Sequence, residues 1–211
     1  MAELDYSAVA RVYAWLERLI FGSLLMRARL WCLGLLETQL EAGEENRVLL
    51  VGEGDGRFLE KLLECDKYFR VDYLDLSEGM MREARARVGE DARVRWHCGD
   101  VSELVESRGY AAVVLHFVLD HYEGGELAGV VAKISELVGE GGSVFVADFD
   151  ETAHWKVRWV VRWMQVFFGW TARVDKVFVA RADAYFLRNG LTLYEESSFW
   201  RGGVYMQQWK M

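Results

Sequence analysis

The chain has 211 residues, 52% apolar and 27% charged, enough to bury one sizeable core and too apolar for disorder. Thirty-three acidic against 25 basic side chains give a net charge of −8, which argues against broad electrostatic binding of nucleic acid. Cys32, Cys65 and Cys98 are far apart, with no CxxC pair or Cys/His cluster, so no disulfide framework and no metal site is expected.

Residues 4–42 read as helical, with Val9, Val12, Leu16, Leu19 and Ile20 at three- and four-residue spacings and a break at Gly22-Ser23. The start of the chain has no signal-peptide pattern, and the apolar run 19–26 is too short to span a bilayer. A soluble, cytoplasmic protein is the expectation.

A polar turn at 43–46 leads into an apolar strand at 48–51. Helices at 57–65, 78–88 and 124–138 then alternate with strands at 69–75, 92–97, 110–116 and 143–149. Alternation with nearly uniform apolar strands predicts a parallel sheet covered by helices on both faces. Residues 155–168 read as an aromatic-rich helix and 178–189 as another. Strands at 191–197 and 203–210 around Arg201-Gly202-Gly203 predict an antiparallel hairpin at the sheet edge. The expected α/β fold is therefore a seven-stranded, Rossmann-like, mostly parallel sheet with a helical N-terminal extension. No repeat or linker interrupts it, so one domain is expected over 1–211. Its parts are a helical cap at 1–44, a core at 45–150, a helical insert at 151–190 and the hairpin at 191–211.

Gly52-Glu53-Gly54-Asp55-Gly56 joins the first strand of this core to a helix. Alternate glycines let backbone approach a ligand and turn sharply, and the helix start behind them offers free N–H groups. The arrangement suits a nucleotide or nucleoside cradle, although glycine turns also make plain strand–helix corners. Asp75 stands at the tip of the next strand, placed to accept two hydrogen bonds from a ribose diol, whereas Asp72 lies inside the strand. Asp75 or Ser77 could instead cap the helix that follows. A dinucleotide fingerprint needs its third glycine where Arg57 stands, which disfavours a nicotinamide dehydrogenase.

The GxGxG loop, Asp75 and the closing hairpin together resemble a class I S-adenosylmethionine-dependent methyltransferase. Gly99-Asp100-Val101 is similar to the family segment whose acid meets the adenine amino group. His116-Phe117 is similar to the strand end facing cofactor and substrate. Ser77-Glu78-Gly79-Met80 resembles the segment that packs on adenine, and the turn 137–143 leads into the fifth strand as in the family. The resemblance spans about 45–150 and implies S-adenosylmethionine as cofactor, with S-adenosylhomocysteine as product. The implied cofactor contacts are Gly52, Glu53, Gly54, Gly56, Asp75, Leu76, Met80, Asp100, Val101, His116 and Phe117. One departure is Leu50, where many family members carry the acid that touches the methionine end of the cofactor. Glu53, Asp55, or the glycine backbone with a water are the alternatives.

Family members acting on exocyclic amines of nucleobases or on glutamine carry a proline-containing motif at the end of the fourth strand. This chain has no proline at all, so a small, largely apolar acceptor methylated on oxygen or carbon is expected instead. The competing reading is a catalytically silent S-adenosylmethionine-binding module with a regulatory or partner-binding role. His116 and His121 are the candidate general bases, although methyl transfer can also run on positioning alone. His97 and His154 read as packing or surface residues, and Asp148 and Asp150 as substrate-orienting or capping groups. Trp155, Trp159 and Trp163 share one face of the insert, which suits either a lid over the acceptor or plain packing on the sheet. Peripheral membrane contact is a further reading of this basic, aromatic segment. The insert resembles, loosely, that of the quinone-ring C-methyltransferases. Tyr6, Tyr13 and Trp15 are candidates to approach the sulfonium through their ring faces.

Overall fold

The computed structural model describes residues 24–40, 46–65, 69–105, 109–150 and 181–211. In chain order the elements are α1 (Leu24–Gln39), β1 (Asn46–Val51), α2 (Arg57–Leu63), β2 (Phe69–Asp75), α3 (Glu78–Val88) and β3 (Val94–Cys98). They continue with β4 (Tyr110–His116), α4 (Gly124–Leu137), β5 (Val138–Phe149), α5 (Asp183–Arg188), β6 (Thr192–Phe199) and β7 (Val204–Lys210). Short 3₁₀ turns at Val101–Glu103 and Leu119–His121 follow β3 and β4.

The strands form one seven-stranded sheet in the order β3-β2-β1-β4-β5-β7-β6. The first five run parallel, and β7 pairs antiparallel with both β5 and β6. The expected hairpin thus enters the sheet with its second strand inside and its first at the edge. Side-chain alternation splits the core into two layers. Val48 and Leu50 face α1, α2 and α3 with Cys32, Leu36, Phe58, Leu59 and Ala84. Leu49 and Val51 face the layer of α4 and α5, with Val130, Val131, Ile134 and Phe186. Both sides of β1 are therefore dry, which is why its sequence is uniformly apolar.

β5 begins earlier than the sequence pattern indicates. Val138 pairs with Tyr110, the register then shifts, and regular pairing resumes at Ser143 opposite Ala112. The glycine turn is thus a bulge within the strand rather than a loop before it. The helical reading before residue 24, including Tyr6, Tyr13 and Trp15, lies outside the described residues. So do the aromatic helix at 155–168 with its tryptophans, and His154.

Candidate active site

The parallel strands end together at one edge, and the strand order reverses between β1 and β4. Ligands of open α/β sheets bind at such a switch point. A cavity of about 400 Å³ opens there, within the range of roughly 300–1,000 Å³ usual for small-molecule sites. All the cofactor contacts expected from sequence line it except Gly56, and His121 lines it too.

Gly52, Gly54 and Gly56 all take positive φ, at 63°, 79° and 78°. Their tasks differ. A Cβ on Gly54 would meet nothing within 4 Å, because that position faces the open cavity. A Cβ on Gly56 would lie 2.7 Å from the Ala84 Cβ, so this glycine lets α2 pack against α3. The Gly54 peptide is held at both ends by β2. Its N–H donates to Asp75 Oδ2 at 3.0 Å, and its carbonyl accepts from the Tyr73 hydroxyl.

Asp75 also accepts the Ser77 N–H on Oδ1 at 2.8 Å. Ser77, not Asp75, caps α3 by accepting from the Met80 N–H. Burial raises the Asp75 pKa, and the two N–H donors only partly oppose this. Further hydroxyl donors would stabilise its charge, as a ribose diol provides. Asp100 caps the turn after β3, taking Ser102 on Oδ1 and the Tyr122 hydroxyl on Oδ2 at 2.7 Å. Burial pushes its carboxyl up, but these bonds outweigh it and hold the group below the ordinary range.

On the other side of the loop Glu53 is 3% exposed, and neither carboxyl oxygen has a hydrogen-bond partner. Burial pushes its pKa up to about 8, against the opposing charge of Arg29. The Arg29 Nε, reaching in from α1, lies 3.8 Å from Glu53 Oε1. Asp55 lines the cavity too, with its carboxylate bonded by Arg57 at 2.8 Å and by Arg87 at 3.1 Å.

His116 ends β4 with its ring edge on Phe58, its Nε2 3.6 Å from Cys32 Sγ and its Nδ1 buried without a partner. Burial, then the charge of Arg29, drives its pKa well below that of free histidine. Such a shift favours the neutral ring, a weaker base than free histidine and a polar part of the cavity wall. Phe117 turns the chain at φ 59°, a conformation rare for an aromatic, and lies under the Arg29 guanidinium at 5.4 Å. His121 is exposed at the rim, 3.7 Å from Asp120 Oδ1.

Asp148 lies inside β5. It accepts the N–H groups of Leu119, Asp120 and Phe149, pinning the turn after β4 to β5. Asp150 does follow the strand, with Arg181 3.6 Å away. His97 is part-buried on β3. It bonds Asp72 at 2.8 Å, in a cluster that includes Arg47, Arg95 and Tyr110. Burial raises Asp72, but these bonds overcome it and hold the carboxyl well below the usual range.

Arg29 and Tyr122 were not anticipated from sequence. A signal existed for Arg29, since it lies on the buried helical stripe of Leu25, Ala28, Cys32 and Leu36, where a charge is out of place. Nothing local marks Tyr122. Among the described residues there is no metal-binding cluster of His, Cys, Asp or Glu, and no helix long and apolar enough to cross a membrane.

The strand order, the glycine loop tied to Asp75 and the hairpin define a class I, Rossmann-like methyltransferase fold. Residues 48–142 match the family model described as methyltransferase domain, in agreement with that fold. Solved structures similar to it include the N-methyltransferase NodS of Bradyrhizobium japonicum with S-adenosylhomocysteine. That structure has TM-score 0.65 and 16% identity over 88% of this chain and 87% of that one. The 1,6-didemethyltoxoflavin N1-methyltransferase of Burkholderia thailandensis has TM-score 0.63 and 18% identity over 100% and 91%. A Haloferax volcanii methyltransferase in complex with the activator Trm112 has TM-score 0.67 and 16% identity over 100% and 99%. Comparison with curated protein sequences returned no match. The residues present fit the cofactor. The Gly54 cradle opens into the cavity, and the buried oxygens of Glu53 lack partners.

Proposed function

We propose that this chain is an S-adenosylmethionine-dependent methyltransferase that acts on a small, largely apolar acceptor, on oxygen or carbon. S-Adenosylmethionine supplies, when bound, a methyl group on a positively charged sulfur. Asp75 binds the ribose hydroxyls, with Leu76 and Met80 beside the adenine and Asp100 and Val101 at its edge. The Gly54 peptide, clamped by Asp75 and Tyr73, keeps the loop open to the cofactor. Phe117 and Val118 form an apolar wall of the cavity, and the neutral His116 ring adds no charge to it. Such a wall excludes water and favours an apolar acceptor held for in-line attack. His121 at the rim, 3.7 Å from Asp120, takes the proton where the acceptor is a hydroxyl.

The observation that carries this reading is one cavity bordered by carboxylates at the β2 and β3 tips and by aromatic and apolar groups beyond β4. Two structural neighbours are named for N-methylation, so amines belong in the test beside phenols and activated ring carbons. The purified chain is incubated with labelled S-adenosylmethionine and pooled apolar metabolites, and products are sought by a mass gain of one methyl. Labelled small-molecule products support the proposal. Binding of the cofactor with no turnover on any pool fits the silent binding module instead. A protein partner is a further possibility that the Trm112 complex of one neighbour brings to the test, by assay with and without cell extract.

A further inference from the structure

The segment after β4, residues 117–122, supplies Phe117, Val118, His121 and Tyr122 to the cavity wall. It is held from three different elements. Asp148 of β5 accepts the N–H groups of Leu119 at 3.1 Å and of Asp120 at 3.2 Å. Val118 rests on Gly52 of the glycine loop, so closely that a Cβ there would lie 2.6 Å from Val118 Cγ2. Tyr122 reaches the other way, its hydroxyl donating at 2.7 Å to Asp100 Oδ2, at the head of the turn after β3. In the order β3-β2-β1-β4-β5, this short segment ties together strands on both sides of the switch point.

The ties are unequal. Asp148 is buried and holds backbone N–H groups, so opening there would strand polar groups away from water. Tyr122 holds by one part-buried side-chain bond, and this tie opens at least cost. Phe117 enters the segment at φ 59°, a costly conformation for an aromatic that persists only where its surroundings hold it. The ties supply that hold, and the weakest of them sets how often the far end of the segment opens. The amides of His121 and Tyr122 lie at that end, bonded to the carbonyls of Val118 and Leu119 at 3.2 Å. A ligand in the cavity has the glycine loop and the β2 and β3 tips on one wall and this segment on the other. Contacts to both walls exist only while the segment is closed, so such a ligand favours the closed form.

We propose that residues 117–122 form a strap, latched by Tyr122 on Asp100, which the methyl donor closes on binding. The inference rests on the reading of the cavity as the donor site. Tyr122 is then a positioning residue. By closing the strap, the donor sets the wall of Phe117, Val118 and His121 that the acceptor meets. The donor therefore binds first, and the acceptor enters a wall already in place.

The test is amide hydrogen exchange of the full chain, resolved by NMR to single residues, with and without saturating S-adenosylhomocysteine. In the wild type the ligand should slow exchange at Gly54, His121 and Tyr122 by about tenfold or more. That measurement needs no variant. Tyr122→Phe keeps the ring and removes only the hydroxyl. The variant should still gain the ligand's protection at Gly54 but lose most of it at His121 and position 122. A merely structural role of Tyr122 does not produce that split, because a loosened fold exchanges faster at both places, with ligand or without. Wild-type protection at Gly54 with none at His121 and Tyr122 overturns the strap while leaving the donor site intact. A Tyr122→Phe pattern equal to the wild type overturns the latch. Loss of binding by Tyr122→Phe makes Tyr122 a donor contact and overturns its positioning role. Failure of the wild type to bind S-adenosylhomocysteine overturns the donor reading itself, and the strap with it.

Discussion

Gly54 and Asp75 are joined by a backbone N–H to carboxylate hydrogen bond of 3.0 Å that crosses from the glycine loop to the tip of β2. The same carboxylate that would meet the ribose thus also shapes the loop beneath the cofactor. Asp75→Ala should therefore lose twice, by about 1–3 kcal/mol in unfolding free energy and by tenfold or more in S-adenosylhomocysteine affinity. Denaturant titration and calorimetry measure the two. Tighter binding of NAD than of S-adenosylhomocysteine by the wild type would contradict the assignment of Asp75.

Gly54 and Gly56 should separate binding from folding. Both hold φ near +79°, so alanine costs about 1–3 kcal/mol of strain at either. Gly56→Ala adds a collision with Ala84, and a fall in melting temperature of several degrees more than for Gly54→Ala is expected. Gly54→Ala places its methyl in the open cavity and should weaken S-adenosylhomocysteine more than it destabilises the fold. Thermal unfolding with and without ligand distinguishes the two.

Glu53 should make the free protein less stable as pH rises. Its carboxyl is pushed up to about 8 by burial, above the ordinary 4.5, so the folded state binds a proton that the unfolded state releases between these values. Stability from the neutral form is complete below about 4.5 and is lost as pH rises through about 8. The contribution falls by up to about 1.4 kcal/mol per pH unit in that window. Glu53→Gln should remove this slope from a urea-denaturation series between pH 5 and pH 9. A series parallel to the wild type would show that Glu53 is charged in the free protein.

The cysteines should differ sharply in reactivity. Cys98 is exposed, whereas Cys32 and Cys65 are buried, and burial pushes both of their thiols up, that of Cys65 to about 12. Only thiolate reacts, so brief iodoacetamide treatment of the native chain should label Cys98 and spare the other two. Peptide mass mapping reads the result. Equal labelling of Cys32 would mean that α1 opens readily and exposes the His116 wall.

The order of strands and helices, the glycine loop and Asp75 at the strand tip were all legible from the amino-acid sequence. Each depends on local physics, on the two-residue period of strands, the helical period and the positive φ that glycine alone adopts freely. The choice of bonding partner was not. Asp75, Asp100, Glu53 and Asp55 are four acids near one loop, alike in sequence, yet they have four different fates. Asp55 is neutralised by Arg87 from 32 residues away, Asp100 takes Tyr122 from 22 residues away, and Asp75 takes the Gly54 amide. Glu53 is left facing Arg29 of α1 without a hydrogen bond. Burial and partner geometry set the energy of a charge, and both come into being only when distant segments pack, so tertiary structure alone decided which acids of this site remain available to a ligand.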